Sequence, residues 1–120
     1  MEQMLSEEVD PTDWRAVRDH LILTMLYECG LRRSEIAGLR DQAVDTTERQ
    51  LKVLGKGRKE RIVPFGKGLA EEIEAWRHLR TSIFGTTESF FVSSKGTPMA
   101  PRAVYQVAHA ALATVPNLSR

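Results

Sequence analysis

The residues best suited to do chemistry in this chain are basic. Between positions 49 and 61, six basic side chains stand against one acid, Glu60. Arg32 follows a Gly-Leu pair and precedes a short helical pattern, so its guanidinium can offer a two-pronged hydrogen-bonding fork to a phosphate. Lys56 lies in a glycine-flanked turn, where a flexible ammonium can reach a second phosphate or a leaving oxygen. Either residue alone is an ordinary surface base, but together with the basic cluster they predict a surface for nucleic acid.

Other catalytic chemistries lack their residues. His20, His78 and His109 each fall inside a predicted helix, with no serine, cysteine or carboxylate at a readable spacing for a triad. A single cysteine, Cys29, and no histidine pair at finger or helical spacing argue against a zinc site. The segment Gly55-Lys56-Gly57 lacks both the spacing and the Lys-Ser/Thr ending of a P-loop. We therefore expect no metal and no cofactor.

The composition is that of one folded domain. The 120 residues are 42% hydrophobic and 28% charged, close to globular averages. The net charge of +1 hides a segregation, because residues 1–13 carry five acids and no base whereas the segment around Lys56 is strongly positive. Neither a membrane-length apolar run nor a signal-peptide pattern is present. These features lead us to expect a cytoplasmic protein with no membrane partner.

Apolar spacing predicts the elements that position the bases. The pattern predicts a long, largely buried helix that starts with Asp10 as N-cap and Pro11 at the first helical position, carries its apolar stripe from Trp14 onward and stops at Gly30. A short helix over residues 34–39 and a polar loop over 41–50 follow. The β-rich runs 51–54 and 61–65 form a hairpin that carries the basic cluster. Two further helices, over 69–83 and from Pro101 onward, flank a short extended segment at 90–92, which gives a mostly helical α+β fold with a small antiparallel hairpin or sheet.

Two stretches of the sequence resemble motifs of the tyrosine recombinases, the phage integrase and Xer family. Arg18-Asp19, followed by MLYECGLRRSEIAGL at residues 25–39, resembles that family's RD…LLYxTGLRxSELxGL motif. LGKGRKERIVPFG at residues 54–66 resembles its xGKGxKxRxVPL hairpin. The separation of 24 residues between Arg32 and Lys56 also suits the family. The resemblance covers roughly residues 14–115, and two motifs in order make it much stronger than either would alone.

This resemblance implies an activity and a role for each matching residue. Tyrosine recombinases cut DNA with a tyrosine nucleophile, form a 3′-phosphotyrosyl intermediate and rejoin the strand without metal or ATP. Arg32 matches the arginine that stabilises charge on the scissile phosphate, and Lys56 matches the lysine that protonates the leaving 5′-oxygen. Glu35 matches an acidic position that helps to order the arginine region. The other bases expected to contact DNA are Arg33, Arg58, Lys59, Arg61 and Arg102.

The second half of the chain departs from the family pattern. The His-x-x-Arg motif and the nucleophilic tyrosine are not found, since His78-Leu79-Arg80 has the wrong spacing and Tyr105 lies upstream of where that motif would begin. We therefore predict that residues 14–120 are the N-terminal part of a recombinase catalytic domain, behind an acidic lead-in at residues 1–13. We expect this part to bind double-stranded DNA without cleaving it by itself, and whether the chain acts as an enzyme is left open.

Two alternatives from other functional classes also stay open. One is a truncated, catalytically dead module with a DNA-binding or regulatory role. The other is an assembly module that forms homo-oligomers, on DNA or through exposed apolar surface such as that of the last helix.

Overall fold

Within residues 9–113, which the computed structural model describes apart from the side chains of Lys56 and Ala113, the chain forms four helices and one three-stranded sheet. The helices are α1 (Trp14–Tyr27), α2 (Arg33–Ala37), α3 (Lys67–Phe84) and α4 (Pro101–Ala113). The strands are β1 (Val44–Asp45), β2 (Gln50–Leu54) and β3 (Glu60–Pro64), with 3₁₀ turns at Asp41–Ala43 and Lys56–Arg58. The predicted α+β class is confirmed. Parts of the predicted lead-in (1–13) and of the predicted domain (14–120) lie outside the described residues.

Helix α1 begins later than the sequence predicts. Asp13, not Asp10, is its N-cap, and the Asp13 carboxylate accepts a hydrogen bond from the Ala16 N–H at 3.2 Å. The Asp10 carboxylate is engaged by Thr12, whose N–H and hydroxyl donate to it at 2.9 and 2.7 Å. Pro11 therefore lies in a turn ahead of the helix. At the other end, the glycine stop is correctly placed, because Gly30 has a φ of 67° just beyond the last turn.

The predicted hairpin forms the larger part of the sheet. Strand β2 pairs antiparallel with β3, placing Val53 opposite Arg61 and Leu54 opposite Glu60. Leu51 and Val53 are buried against the helices, whereas the alternate residues of β2 face outward. Strand β1 adds a third, short antiparallel strand inside the stretch predicted to be a loop. With only two residues, it is too short to leave an alternating pattern in the sequence.

The core lies between the helices and the inner face of the sheet. The extended segment that was predicted at residues 90–92 runs through its centre, where Phe90 and Phe91 are fully buried and meet edge to face at 4.7 Å. Trp76 of α3 is also fully buried, and its indole N–H donates to the Phe90 carbonyl at 2.9 Å. This bond satisfies the polar atom of the largest core side chain. No helix within residues 9–113 is long and apolar enough to span a membrane.

Charged side chains of α3 fix the sheet to the helical layer. Asp41, at the turn before β1, accepts hydrogen bonds from Arg77 at 2.9 Å and pairs with Arg80 at 3.1 Å. Arg77 also donates to the carbonyls of Asp41 and Val44, at 2.7 and 2.6 Å. At the opposite side of α3, Glu72 pairs with His20 of α1, a contact that sequence spacing does not reveal. These pairs set the positions of the elements that carry the predicted site.

Candidate nucleic-acid interface

An open groove of about 900 Å³ lies where the N-terminal ends of α2 and α4 meet. Three predicted site residues, Arg32, Arg33 and Arg102, line it, and all three are exposed. The remaining lining residues are Leu26, Leu31, Ser34, Pro101, Tyr105 and Gln106. The fold thus brings together two arginines from the first motif and Arg102, which lies 69 residues after Arg33. Three guanidinium groups around one opening form a surface suited to phosphate oxygens.

One of these arginines is held in place by an aromatic ring. The guanidinium carbon of Arg33 lies 4.7 Å from the ring centroid of Tyr105, within the range of a cation–π interaction. On α4, the Tyr105 ring also stacks on His109, with centroids 5.6 Å apart and an interplanar angle of 19°. Tyr105 remains 45% exposed. The contact restrains Arg33, which stays exposed and lines the groove.

Glu35 connects the start of α2 to the hairpin. Its side chain is 3% exposed, and one carboxylate oxygen accepts a hydrogen bond from the Arg32 backbone N–H at 2.8 Å. Both oxygens also accept from the guanidinium of Arg61 on β3, a side chain that is 45% exposed. The Arg61 hydrogen bond lowers the pKa of Glu35, with help from the Arg32 N–H and against the effect of burial. The same pair raises the pKa of Arg61.

The turn of the hairpin lies beside this ion pair. A Cβ placed on Gly55 would stand 3.7 Å from the Glu35 carboxylate and 4.0 Å from the Arg61 guanidinium. The turn continues through Lys56, whose side chain lies outside the described part of the chain, and Gly57, whose φ of 75° suits glycine. The hairpin therefore approaches the start of α2 at the residue that precedes Lys56.

The remaining predicted bases are distributed differently. Arg58 and Lys59 are exposed at the hairpin turn and do not line the groove, and Arg61 faces inward to Glu35. Sequence reasoning missed the contact of Tyr105 with Arg33. It also missed the polar residues on the exposed face of α4. Their spacing of three and four residues could have revealed them in the sequence: Arg102, Tyr105, Gln106 and His109.

Within residues 9–113, no group of three or more His, Cys, Asp and Glu side chains is arranged to hold a metal ion. The thiol of Cys29 is partly buried, and this burial, followed by the neighbouring Glu28 carboxylate, raises its pKa. A raised pKa keeps the thiol protonated near neutral pH and disfavours a nucleophilic role. The groove lined by Arg32, Arg33 and Arg102 is therefore the candidate functional site.

Comparison with known sequences gives a consistent group of relatives. The model of the phage integrase family matches residues 1–115. The tyrosine recombinase XerC of Chlorobaculum tepidum is 40% identical over 110 residues, which cover 86% of this chain and 33% of the relative. The XerC of Haemophilus influenzae (strain PittEE) is 37% identical over 105 residues, covering 87% and 35%. The chain thus spans about a third of the length of these relatives.

Two solved structures share the fold. The crystal structure of XerA recombinase superposes with a TM-score of 0.72 at 22% identity, covering 92% of this chain and 42% of that one. The XerH site-specific recombinase, in a pre-cleavage complex with its difH substrate, gives a TM-score of 0.79 at 18% identity. That match covers 99% of this chain and 34% of XerH. At these identities the likeness concerns the fold.

Proposed function

The chain belongs to the phage integrase family, and on that premise we propose that it is the part of a site-specific tyrosine recombinase that holds the scissile strand of double-stranded DNA. The observation that carries this proposal is the open groove with three exposed arginines, Arg32, Arg33 and Arg102. Phosphate contacts supply most of the affinity of such a surface, whatever the base sequence. The parent reaction breaks and rejoins DNA through a 3′-phosphotyrosyl intermediate.

In this proposal Arg32 is the group that stabilises the reacting phosphate. When a tyrosine oxygen adds to phosphorus, negative charge builds up on the non-bridging oxygens, and a fixed guanidinium lowers the energy of that state. Glu35 supports this by accepting from the Arg32 backbone N–H, which holds the residue at the start of α2. Arg33 and Arg102 then bind neighbouring phosphates and keep the scissile one in register.

Lys56 is proposed as the general acid. As the phosphorus–oxygen bond to the leaving nucleotide breaks, the 5′-oxygen takes up a proton, which a hairpin ammonium can supply. Gly55 lies beside the ion pair of Glu35 and Arg61, so the same carboxylate restrains both the segment that carries Arg32 and the turn that carries Lys56. We assign to Arg61 a share in placing the hairpin, in addition to the DNA contact predicted for it.

The 120 residues by themselves are expected to bind DNA and not to cleave it. Of the two tyrosines, Tyr27 packs with Leu23, and the Tyr105 ring supports Arg33. Groups that stabilise charge do not form the covalent bond without a nucleophile. Cleavage in this account needs a tyrosine and a His-x-x-Arg motif from residues other than these.

Fluorescence anisotropy with a labelled duplex tests the DNA-binding proposal. We expect weak binding whose affinity falls steeply between about 50 and 200 mM KCl, with Arg32→Gln and Arg102→Gln each weakening it. Arg40→Gln is the matched control, because Arg40 is an exposed arginine outside the groove. Absence of binding at about 50 mM KCl, or binding without a salt dependence, would contradict the proposal.

A self-associating module would need an exposed apolar surface, which the sequence places on the last helix. The hairpin offers a different one. Leu54 and Ile62 are 60% and 55% exposed, and the strand register puts both on the outer face of the hairpin. Size-exclusion chromatography with light scattering separates the two functions. A stable dimer that Leu54→Lys dissociates without loss of DNA binding would favour assembly through this face.

A further inference from the structure

A second opening, of about 600 Å³, lies beside β2, and we call it the edge groove. Val53 faces inward from the sheet whereas Lys52 and Leu54 face outward, yet all three line this groove. An opening lined from both faces of a strand runs along the edge of that strand, and β3 already occupies the other edge of β2. The opposite wall is the segment between α2 and β1, through Gly38, Leu39, Arg40, Gln42 and Ala43.

Strand β1 is too short to cover this edge of β2. It pairs with Gln50 and Leu51 only. Ala43 would come next, opposite Lys52, but its N–H donates instead to the Arg40 carbonyl at 3.0 Å, within the 3₁₀ turn. The ladder between β1 and β2 therefore ends before Lys52, and among residues 9–113 no strand pairs with the rest of β2 on this side.

The open edge presents backbone hydrogen-bonding groups. The Gly55 N–H donates to the Lys59 carbonyl at 2.8 Å. At the other end of the hairpin, the Phe65 N–H donates to the Arg49 carbonyl at 2.9 Å. Directly bonded pairs alternate along an antiparallel ladder, so the N–H and carbonyl of Leu54 point away from β3 and toward the edge groove. An unpaired strand edge of this kind is a template for pairing with another chain.

The side chains of the edge groove are apolar on one face of β2 and partly basic on the other. Val53 is buried, whereas Leu54 is 60% exposed. Lys52 is exposed on the same outer face as Leu54, and Arg40 is exposed on the opposite wall. Arg40 pairs with the exposed Glu88 at 3.3 Å, and a surface pair of this kind contributes little. An occupant with apolar groups and a carboxylate complements these walls.

Two carboxylates of the edge groove decide where the acid of an occupant can lie. Glu35 is engaged by Arg61 and by the Arg32 N–H. Glu60 is exposed and lies opposite Leu54 in the strand register. A carboxylate beside Leu54 would therefore be repelled by Glu60, whereas one beside Lys52 would be attracted.

We propose that the edge groove binds an extended peptide segment of a partner protein, which adds a strand antiparallel to β2 and in line with β1. The peptide residue opposite Leu54 is apolar. The next residue turns inward beside Val53 and is apolar too, because successive side chains point to opposite faces of a strand. The third residue lies opposite Lys52 and is acidic. The recognised sequence is thus two apolar residues followed by an acid.

A synthetic peptide, acetylated and amidated Ser-Leu-Val-Glu-Ser, tests this site in an NMR titration of the isotope-labelled chain. We expect saturable shifts of the amide signals of Gly38 and Leu54. At a peptide concentration about ten times the Kd, hydrogen exchange of the Leu54 amide should slow by about tenfold. The same peptide N-methylated at its leucine and glutamate should not bind, because these two residues turn their N–H groups to β2.

An exchange of charges tests the acidic position. With lysine in place of glutamate, the peptide should bind the wild-type chain about two- to fivefold more weakly. Lys52→Glu should reverse this preference, so that the lysine peptide binds more tightly than the glutamate peptide. Lys67→Glu is the matched control and should keep the wild-type preference, because Lys67 is an exposed lysine outside the edge groove.

Several results would overturn the proposal. Shifts that do not saturate, an unprotected Leu54 amide or full binding of the N-methylated peptide would reject strand addition. Equal affinity of the wild-type chain for the glutamate and lysine peptides would reject the acidic preference. A dimer of the chain that Lys52→Glu dissociates would assign the edge groove to a second copy and not to a partner. None of these measurements involves DNA, so their failure and that of the proposed function are distinguishable.

Discussion

Glu35 and Arg61, which are 26 residues apart, form an ion pair in which both carboxylate oxygens accept from the guanidinium. The pair joins the buried side of α2 to β3, and the Arg32 N–H adds a third hydrogen bond. Arg61 lies opposite Val53 in the strand register, so its side chain leaves the inward face of the sheet toward α2. One carboxylate therefore restrains two segments that carry predicted site residues.

Replacing Glu35 with glutamine is expected to destabilise the fold by about 2 kcal/mol, because hydrogen bonds to a buried charged group are lost. Arg61 is left without its counterion, and the hairpin loses its tie to α2. The measurement is urea unfolding near neutral pH. Glu60→Gln is the matched control, since Glu60 is exposed on β3, the strand that also carries Arg61, and its replacement should change stability little. Equal effects of the two variants would contradict a specific role for Glu35.

The same variant should change how stability depends on pH. The pKa of Glu35 is lowered below its ordinary value of 4.5, so the folded state favours the ionised carboxylate. Its contribution is therefore fully present above about pH 4.5 and is lost as the pH falls through the lowered pKa. The difference in unfolding free energy between wild type and Glu35→Gln should shrink on acidification from about pH 6 to about pH 3. A difference that stays constant would show that the carboxylate titrates alike in both states.

The elements could be predicted to different extents, for physical reasons. The hairpin and the long helices were readable because Leu51 with Val53, and Ile73 with Trp76, repeat at the strand and helix periods. The start of α1 was misplaced because Asp10 and Asp13 are both competent caps, and the choice depends on the turn that Thr12 makes with Asp10.

The site was predictable in its residue types and not in its arrangement. Motif matches named Arg32, Glu35 and Lys56, but spacing alone does not place Arg102 in the same groove as Arg32, because that placement depends on how α4 packs on α2. The cation–π contact of Arg33 with Tyr105 is equally non-local. Side chains from distant segments meet through packing, which a periodic pattern does not specify.

Asp41 is expected to be one of the most sensitive polar residues of the fold. Arg80 is 3% exposed and pairs with Asp41, which also accepts from Arg77. Asp41→Asn removes the negative charge and leaves a buried guanidinium beside a neutral amide, at a cost of about 3 kcal/mol. Thermal unfolding measures the loss, with Asp45→Asn at the exposed end of β1 as the control. A loss no larger than that of the control would mean that backbone carbonyls suffice for Arg80.

Variants of Tyr105 test how the groove works, because the roles of its ring and of its hydroxyl predict different effects on DNA binding. If the ring acts by holding Arg33, Tyr105→Phe should bind duplex DNA as wild type does. Tyr105→Ala should bind about two- to fivefold more weakly, the value of a cation–π contact at an exposed site. Anisotropy at one fixed salt concentration gives both numbers, and Tyr27→Phe is the matched control for the second tyrosine.

The hydroxyl is tested by looking for a covalent bond to DNA. Tyr105 lines the same groove as Arg32, so its hydroxyl is the one to test for attack on DNA. A nicked duplex that traps the phosphotyrosyl intermediate, resolved on a denaturing gel, should give no adduct with the wild-type chain, because the His-x-x-Arg motif that cleavage needs in this account is not found in the sequence. An adduct that disappears in Tyr105→Phe and persists in Tyr27→Phe would make Tyr105 the nucleophile, and the ring contact with Arg33 would then position that nucleophile beside the phosphate.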